Sequence, residues 1–312
     1  MTAKAPFVYS PLFVDDRRPA IVLAEGTTGI SAADRAPAEW YVFDDAIRLR
    51  INLALATGRP LLIRGPSGCG KSSLARAVAA RAGWNYAERT IDSRTQAQDL
   101  LYQIDQLKRL RDAQADKLTE DERFYVLPAP LFWAFDAAMC RDLLLATGRQ
   151  ALVPETIKIE TPWVLLIDEI DKADPDVPNN LLVPLGSLEF AIPELGVVVK
   201  AKPDRLPLIL ITTNEERELP PAFLRRCIEL VIGEPDAALL ERVAIEHKLN
   251  QKLDIDLADL ADYYMRASRP SEQPRNVAEF LDFVRAWREL ELRGDEATRD
   301  AVLEAISGRA SK

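Results

Sequence analysis

A glycine-rich segment at residues 65–73 has the residue types and the spacing needed to bind phosphate groups. Gly65, Gly70, Lys71 and Ser72 fit the spacing G-x-x-x-x-G-K-[ST], the phosphate-cradling loop called Walker A. Glycines let backbone N–H groups turn towards phosphate oxygens, and the following helix presents its positive end to the same anion. In this chemistry Lys71 reaches the β- and γ-phosphates, and the Ser72 hydroxyl ligates Mg²⁺. The predicted nucleotide-binding loop consists of Gly65, Pro66, Ser67, Gly68, Cys69, Gly70, Lys71, Ser72 and Ser73.

The residues on both sides of this loop favour a nucleotide-binding loop over a chance glycine-rich turn. The apolar run at 60–63 is typical of a buried strand, and residues 73–81 predict a helix that Gly83 ends. A strand before the loop and a helix after it are the context that a Walker A loop requires.

A pair of acids supplies the second part of a phosphate-hydrolysing site. Asp168 and Glu169 directly follow the apolar run at 163–167, which is the Walker B pattern. A carboxylate at the carboxyl end of a strand beside the loop can hold Mg²⁺, so we assign Asp168 and Ser72 to the metal. Glu169 can then act as a base towards water, which favours hydrolysis over transfer to a substrate. The alternative is a strand that ends in two solvated acids.

Three more polar residues suit phosphoryl chemistry. Asn214 ends the next apolar run, 206–213, where its amide can orient water; alone, it would equally well serve a turn. Arg225 and Arg226 follow it, and an arginine can stabilise charge on a phosphoryl group in the transition state. By themselves the two arginines would more often form a solvated basic turn.

Composition excludes several other classes of function. The chain has 312 residues and a net charge of −9, so no global positive field would attract nucleic acid or an anionic membrane. Three scattered cysteines favour a reducing, cytoplasmic location. The chain has one histidine, His247, which we expect on the surface rather than in a zinc site or a catalytic triad. We expect neither a signal peptide nor a membrane segment.

The remaining pattern predicts alternating strands and helices followed by helices alone. Strands are expected at 60–63, 86–92, 163–167 and 206–213, with a hairpin at 189–201. Helices are expected at 44–57, 95–102, 131–145, 237–248, 257–266, 277–292 and 296–306. We predict an extended N-terminal arm at 1–38, an α/β nucleotide-binding domain at 39–232 with an exposed insertion at about 103–126, and a helical domain at 233–312.

Together these motifs resemble an AAA+ ATPase, and within that class the MoxR family. The resemblance covers roughly residues 39–290. Beyond the motifs already named, it depends on three sequence stretches: GRPLLI at 58–63, DEIDKADPDVPN at 168–179 and FAIPE at 190–194.

The resemblance implies a fold, an activity and roles for the site residues. The implied fold is α/β: a three-layer αβα core with a mostly parallel five-stranded sheet, followed by a small all-helical lid. ATP and Mg²⁺ are the implied cofactors. Asn214 becomes sensor 1, Arg226 the arginine finger acting on a neighbouring subunit, and Arg275 the sensor 2 arginine of the lid. Family members form rings, usually hexamers, and remodel or activate protein partners, often with a protein that carries a von Willebrand A domain.

Three features depart from the family pattern. Arg225 and Arg226 are adjacent, so the choice of Arg226 depends on register. Pro184 falls where an uninterrupted helix is expected, and it must kink or end that helix because it lacks an N–H and its ring clashes with the preceding turn. The segment 103–126 is longer and more charged than the expected hairpin insertion; it is either a partner-binding surface or a solvated insert.

Three functions remain open from the sequence. The leading one is an ATP-hydrolysing ring motor or chaperone that acts on proteins. A slow nucleotide-dependent switch that presents a surface to an effector is the alternative. A DNA-acting ATPase is disfavoured by the net charge and by the lack of a basic stripe.

Overall fold

The computed structural model describes residues 12–13, 40–251, 253, 255–267, 274–290, 292 and 296–306. The strands are β1 (Leu61–Arg64), β2 (Asn85–Thr90), β3 (Tyr102–Ile104), β4 (Val126–Pro128), β5 (Trp163–Asp168), β6 (Glu189–Ile192), β7 (Val197–Lys200), β8 (Leu208–Thr213) and β9 (Ile228–Val231). The α-helices are α1 (Asp45–Thr57), α2 (Lys71–Ala82), α3 (Gln98–Leu101), α4 (Gln106–Gln114), α5 (Pro130–Phe135), α6 (Ala137–Ala146), α7 (Asp176–Asn180), α8 (Leu182–Ser187), α9 (Pro221–Leu224), α10 (Ala237–Glu246), α11 (Leu257–Arg266), α12 (Val277–Glu289) and α13 (Glu296–Ile306).

Five strands form one parallel sheet in the order β2-β5-β8-β1-β9. The central strands are continuous apolar runs because both faces of the sheet are covered. Successive side chains alternate between the faces: Leu61 and Ile63 pack with α1 and α2, whereas Leu62 packs on the opposite side with α5 and α6. This confirms the predicted three-layer αβα core.

The helices α10 to α13 pack around a separate apolar core that includes Leu240, Tyr264, Phe280 and Trp287. They form the predicted all-helical part of the chain. Among the described residues, no helix has both the length and the apolar character needed to cross a membrane.

The sequence pattern missed the edge strand β9 and overestimated some helices. β9 is only four residues long, and Glu229 interrupts its apolar character. The helix predicted at 131–145 is two helices, because the Asp136 side chain accepts a hydrogen bond from the N–H of Met139 and so caps the start of α6. The helix predicted at 95–102 shortens to α3.

Pro184 has the predicted effect on its helix. The segment breaks at Leu181, and Pro184 lies in the first turn of α8, where a backbone N–H has no intrahelical partner. The insertion at 103–126 is ordered: β3 and β4 pair as an antiparallel hairpin, and α4 lies between them with no buried residue.

Most of the predicted N-terminal arm lies outside the described residues, including its expected short strands. Within the described pair, Phe13 is buried against Phe43, with ring centroids 5.5 Å apart. The backbone N–H groups of Leu12 and Phe13 both donate to Oδ1 of Asn52, at 2.6 and 2.7 Å. These two residues therefore lie on the core.

Candidate nucleotide-binding site

The glycine-rich loop joins the carboxyl end of β1 to the N-terminus of α2, and its glycines allow two close contacts. Gly65 has a φ of 149°, and a Cβ there would lie 2.2 Å from the carbonyl oxygen of Ile232. Gly68 has a φ of 77°, and a Cβ there would lie 2.7 Å from Oδ1 of Asn276. The loop backbone thus packs against the segment after β9 and against the start of α12.

Lys71 is buried beneath this loop, with only 6% of its surface exposed. Its ammonium donates to the carbonyl oxygens of Gly65 and Pro66, at 2.7 and 2.9 Å, and to Oδ1 of Asn214, at 2.7 Å. All three acceptors are uncharged, so they orient the ammonium without neutralising it. The charge is available to an anion in the loop.

Walker A and Walker B meet through hydroxyl groups. The Ser72 hydroxyl donates to both carboxylate oxygens of Asp168, at 2.9 and 3.0 Å, and the Thr212 hydroxyl donates to Oδ1 at 2.5 Å. Burial raises the pKa of the Asp168 carboxyl above its ordinary value, although these two hydroxyls act in the opposite direction. A cation at this position would stabilise the carboxylate form.

Glu169 leaves the strand in a left-handed backbone conformation, with a φ of 59°. Such a conformation is uncommon for a residue with a side chain and often occurs at functional sites. The Glu169 carboxylate accepts from Nδ2 of Asn214 at 3.2 Å and from the ammonium of Lys172 at 2.7 Å. One amide, that of Asn214, therefore connects the predicted phosphate-binding lysine to the predicted base.

Asp171 positions Asn214, and sequence reasoning missed it. This carboxylate is 3% exposed, and its Oδ2 accepts from the backbone N–H groups of Asn214 and Glu216, at 3.1 and 3.0 Å. Its Oδ1 is buried and has no hydrogen-bond partner among the described residues. Only its place within the sequence DEIDKA could have indicated a role, and that place does not reveal a contact with a residue 43 positions away.

A cavity of about 330 Å³ adjoins the loop. Gly68, Cys69, Gly70 and Ser73 form its wall on the loop side, whereas Ser67 is exposed at the loop tip. The opposite walls come from the segment before α1, the segment after β9, and the helices α10 and α12, through Trp40, Val42, Ile232, Leu239, Val243, His247 and Leu281. This mainly apolar cavity has the character of a small-molecule site.

His247 lines that cavity and is half-buried, so it is more enclosed than the predicted surface histidine. Its ring lies 5.2 Å from the ring of Trp40, and Nδ1 lies 3.5 Å from Nη2 of Arg285. Burial, followed by the charge of Arg285, lowers the pKa of His247 to about 4, while Glu246 has the opposite effect. The imidazole is therefore neutral near pH 7. Sequence alone gave no indication, because segments far apart in the chain form the cavity.

The two arginines lie at the opposite end of the strands from the glycine-rich loop. Arg225 and Arg226 precede the first residue of β9, Ile228, which pairs with the first residue of the parallel strand β1, Leu61. The glycine-rich loop follows the opposite ends of these strands, about 13 Å away for a four-residue strand. Both arginine side chains are exposed. They are not brought together with the loop of their own chain.

Arg275 contacts the lid rather than the loop. Its guanidinium donates to the carbonyl oxygens of Tyr264 and Ala267, at 3.3 and 3.0 Å, and so caps the C-terminal end of α11. Its neighbours face the loop instead: the N–H of Ala278 donates to the carbonyl oxygen of Gly68 at 3.2 Å, and Asn276 lies against Gly68.

The residues at the loop fit a nucleotide with Mg²⁺. Among the described residues, no group of three or more His, Cys, Asp or Glu side chains is placed to hold a metal on its own. Mg²⁺ normally uses one or two protein ligands and takes the others from water and phosphate, which matches the single pair of Ser72 and Asp168. The buried ammonium of Lys71 and the glycine-rich loop suit the phosphates, and the adjoining cavity suits the rest of the nucleotide.

Comparison with known proteins agrees with this geometry. Residues 60–227 match the family model of the AAA domain, dynein-related subfamily, and this match spans more than half of the chain. The search of curated proteins gives no match. The chain therefore belongs to the AAA domain family, in its dynein-related subfamily.

Proposed function

We propose that this chain is a MoxR-like AAA+ ATPase that hydrolyses ATP within an oligomeric ring, in the cytoplasm, to remodel or activate a protein partner. The observation that carries the proposal is the bridge made by Asn214. Its Oδ1 accepts from Lys71 and its Nδ2 donates to Glu169, so the phosphate-binding charge and the base lie on either side of one amide.

The site residues divide the work of binding and hydrolysis. The phosphates of ATP would lie on the loop 65–70 beside Lys71, with the purine in the cavity lined by Trp40 and His247. Ser72 and Asp168 would hold Mg²⁺, which supplies positive charge to the phosphate oxygens. Glu169 accepts a proton from the attacking water, and Asn214 orients that water.

The placement of the arginines supports action between subunits. A side chain at the N-terminal end of β9 cannot reach the loop at the carboxyl end of β1 in the same chain. We therefore assign Arg226 as a finger for the neighbouring site, with Arg225 as the alternative in register. A hexameric ring with a partner that carries a von Willebrand A domain follows from the resemblance to the MoxR family.

The lid completes the proposed cycle. Asn276 and Ala278 contact the loop at Gly68. A small movement of α12 would therefore shift the position of the loop together with that of the lid. We propose that Arg275, the adjacent residue, turns from the end of α11 towards the γ-phosphate when the lid closes.

One observation favours the alternative, a slow nucleotide-dependent switch. One carboxylate oxygen of Glu169 is held by the ammonium of Lys172 at 2.7 Å and the other by Asn214, so the carboxylate must leave the ion pair to contact an attacking water. A switch would keep this pair when ATP is bound. A motor would release it in each cycle.

Mixing two inactive variants tests the proposed ring. Arg226→Ala and Glu169→Gln should each be nearly inactive, because an arginine finger contributes about 10³–10⁵ in rate and a general base about 10²–10⁴. In mixed rings, an Arg226→Ala subunit keeps its own Glu169 and receives an arginine from a Glu169→Gln neighbour. Hydrolysis should return on mixing. Mixed oligomers confirmed by native mass spectrometry, yet without hydrolysis, would contradict action between subunits.

A further inference from the structure

One guanidinium holds the backbone turn that carries the two arginines. Nε of Arg59 donates to the carbonyl oxygen of Arg226 at 3.1 Å. Nη2 donates to the carbonyl oxygens of Arg225 and Cys227, at 2.5 and 2.8 Å. Three consecutive carbonyl groups therefore converge on a single side chain, which lies 166 to 168 positions earlier in the sequence.

Arg59 binds the carbonyl groups of a turn whose N–H groups have backbone partners: those of Arg225, Arg226 and Cys227 donate to the carbonyl oxygens of Pro221, Phe223 and Leu224. The turn therefore depends on Arg59 for its carbonyl groups. It follows α9, which is one turn long, and precedes β9, which begins at Ile228. When three successive carbonyls point to one donor group, the orientations of their peptide planes are fixed. Since each side chain leaves from the Cα between two such planes, the directions of Arg226 and Cys227 are fixed as well.

The side chain of Arg226 also has a defined place beside α8. A Cβ at Gly186 would lie 3.1 Å from Nε of Arg226, so the guanidinium passes close to the helix backbone there. A shift of the turn would therefore change where this guanidinium emerges on the surface.

Arg59 suits this task in its chemistry and in its place. It immediately precedes Pro60, whose carbonyl oxygen accepts from the N–H of Ile228 at 2.8 Å. The backbone of Arg59 therefore lies beside the turn that precedes Ile228. The planar guanidinium offers several donors in a fixed fork, and backbone carbonyls do not neutralise its charge. A lysine has the charge but lacks the fork.

We propose that Arg59 is the positioning residue of the arginine finger: it does not act on its own nucleotide but aims Arg226 at the neighbouring subunit. The inference rests on the proposed action between subunits. Its consequence is specific: a chain without Arg59 should still bind nucleotide at its own site, but its Arg226 should be misplaced towards the neighbouring site.

The first measurement compares Arg59→Gln with a matched control. Arg50 also donates from Nε to a backbone carbonyl of β9, that of Glu229 at 2.8 Å, but this contact lies within the strand and not in the turn. Arg59→Gln should lower hydrolysis by about 10²-fold, the cost of a small misplacement of a catalytic group. Arg50→Gln should stay close to the parent, and all three proteins should bind a fluorescent ATP analogue with similar Kd.

Mixing then separates a positioning role from a structural one. Arg59→Gln mixed with Glu169→Gln should regain hydrolysis, because the second subunit lends a correctly held finger to the intact site of the first. Arg59→Gln mixed with Arg226→Ala should stay inactive, because neither subunit offers a finger. If Arg59 instead supports its own loop through β1, the pattern inverts, and this result would overturn the inference.

The reference mixture separates the inference from the proposal beneath it. If Arg226→Ala and Glu169→Gln do not restore each other in confirmed mixed rings, action between subunits is wrong and the inference falls with it. If they do, and Arg59→Gln restores Arg226→Ala, only the inference is wrong. Arg59→Lys guards against a folding defect: it should show a smaller loss with the same mixing pattern, and parental hydrolysis in this variant would also overturn the inference.

Discussion

The hydroxyl of Ser72 donates to both carboxylate oxygens of Asp168, at 2.9 and 3.0 Å, across 96 positions of sequence. This contact joins the first residues of α2 to the end of β5. It holds two oxygen atoms that can ligate a cation close to each other, so the binding of a cation needs little rearrangement. The pair is the structural basis for assigning Mg²⁺ to this place.

Lys71→Ala should weaken ATP binding strongly. The ammonium lies under the loop with three uncharged acceptors, and its removal deletes the charge that faces the phosphates. A charge-assisted hydrogen bond contributes about 1.5–3 kcal/mol, which corresponds to about 10- to 100-fold in Kd. Isothermal titration calorimetry measures the loss. Lys200→Ala, which removes the partner of Glu189 on the hairpin, is the control and should bind normally. Tight ATP binding by Lys71→Ala would contradict the site.

Glu169→Gln should bind ATP and fail to hydrolyse it. The glutamine keeps the shape of the side chain and a hydrogen bond with Asn214, but it no longer accepts a proton from water. Loss of a general base costs about 10²–10⁴ in rate. Steady-state phosphate release gives the rate, and affinity purification of the variant held in ATP should retain its protein client.

The control for that variant is Glu215→Gln, which removes an exposed carboxylate paired with Arg64 at the same carboxyl ends of the strands. It should hydrolyse ATP at nearly the parental rate. Turnover of Glu169→Gln within a few-fold of the parent would remove Glu169 from the role of base.

Arg275→Ala should lower hydrolysis and weaken the end of α11. The guanidinium caps the carbonyls of Tyr264 and Ala267, so its loss costs about 1.5–3 kcal/mol of local stability. Hydrogen exchange with and without ATP reports lid closure. Arg266→Ala is the control, because among the described residues its exposed guanidinium donates to the carbonyl oxygen of Asp262 in its own helix. Normal hydrolysis and normal ATP-dependent protection in Arg275→Ala would leave Arg275 as a helix cap alone.

Stability should fall with acidification in a way that depends on His247. Its pKa is lowered to about 4 in the folded chain, against about 6.5 when unfolded, so between these values the unfolded state binds more protons. The contribution is fully present above pH 6.5 and is lost as the pH falls towards 4.

Urea unfolding at pH 7 and pH 5 tests this expectation for the parent and for His247→Gln. The free energy of unfolding of the parent should drop by about 1 kcal/mol more than that of the variant, once partial solvent exposure is allowed for. An equal drop in both proteins would show that His247 titrates normally.

Local patterns were sufficient for the central strands and the glycine-rich loop. β5 and β8 were recognisable because strands buried on both faces are continuously apolar, and α1 was recognisable because its apolar residues recur at helical spacing and Gly58 ends it. The edge strand β9 was not, because one exposed side removes the apolar signal from a strand of four residues.

The sequence by itself determined the chemistry: a lysine, a hydroxyl, two acids, an amide and two arginines in a given order. Their types and spacing carry that information because each ends or begins a local element. Only the tertiary structure decided which of them meet. Parallel strands bring Asn214 between Lys71 and Glu169 at their carboxyl ends. They leave Arg225 and Arg226 at their N-terminal ends, where Arg59 holds the turn. The apolar cavity around His247 likewise exists only after folding, because its walls come from segments too far apart in the chain for any local pattern to predict.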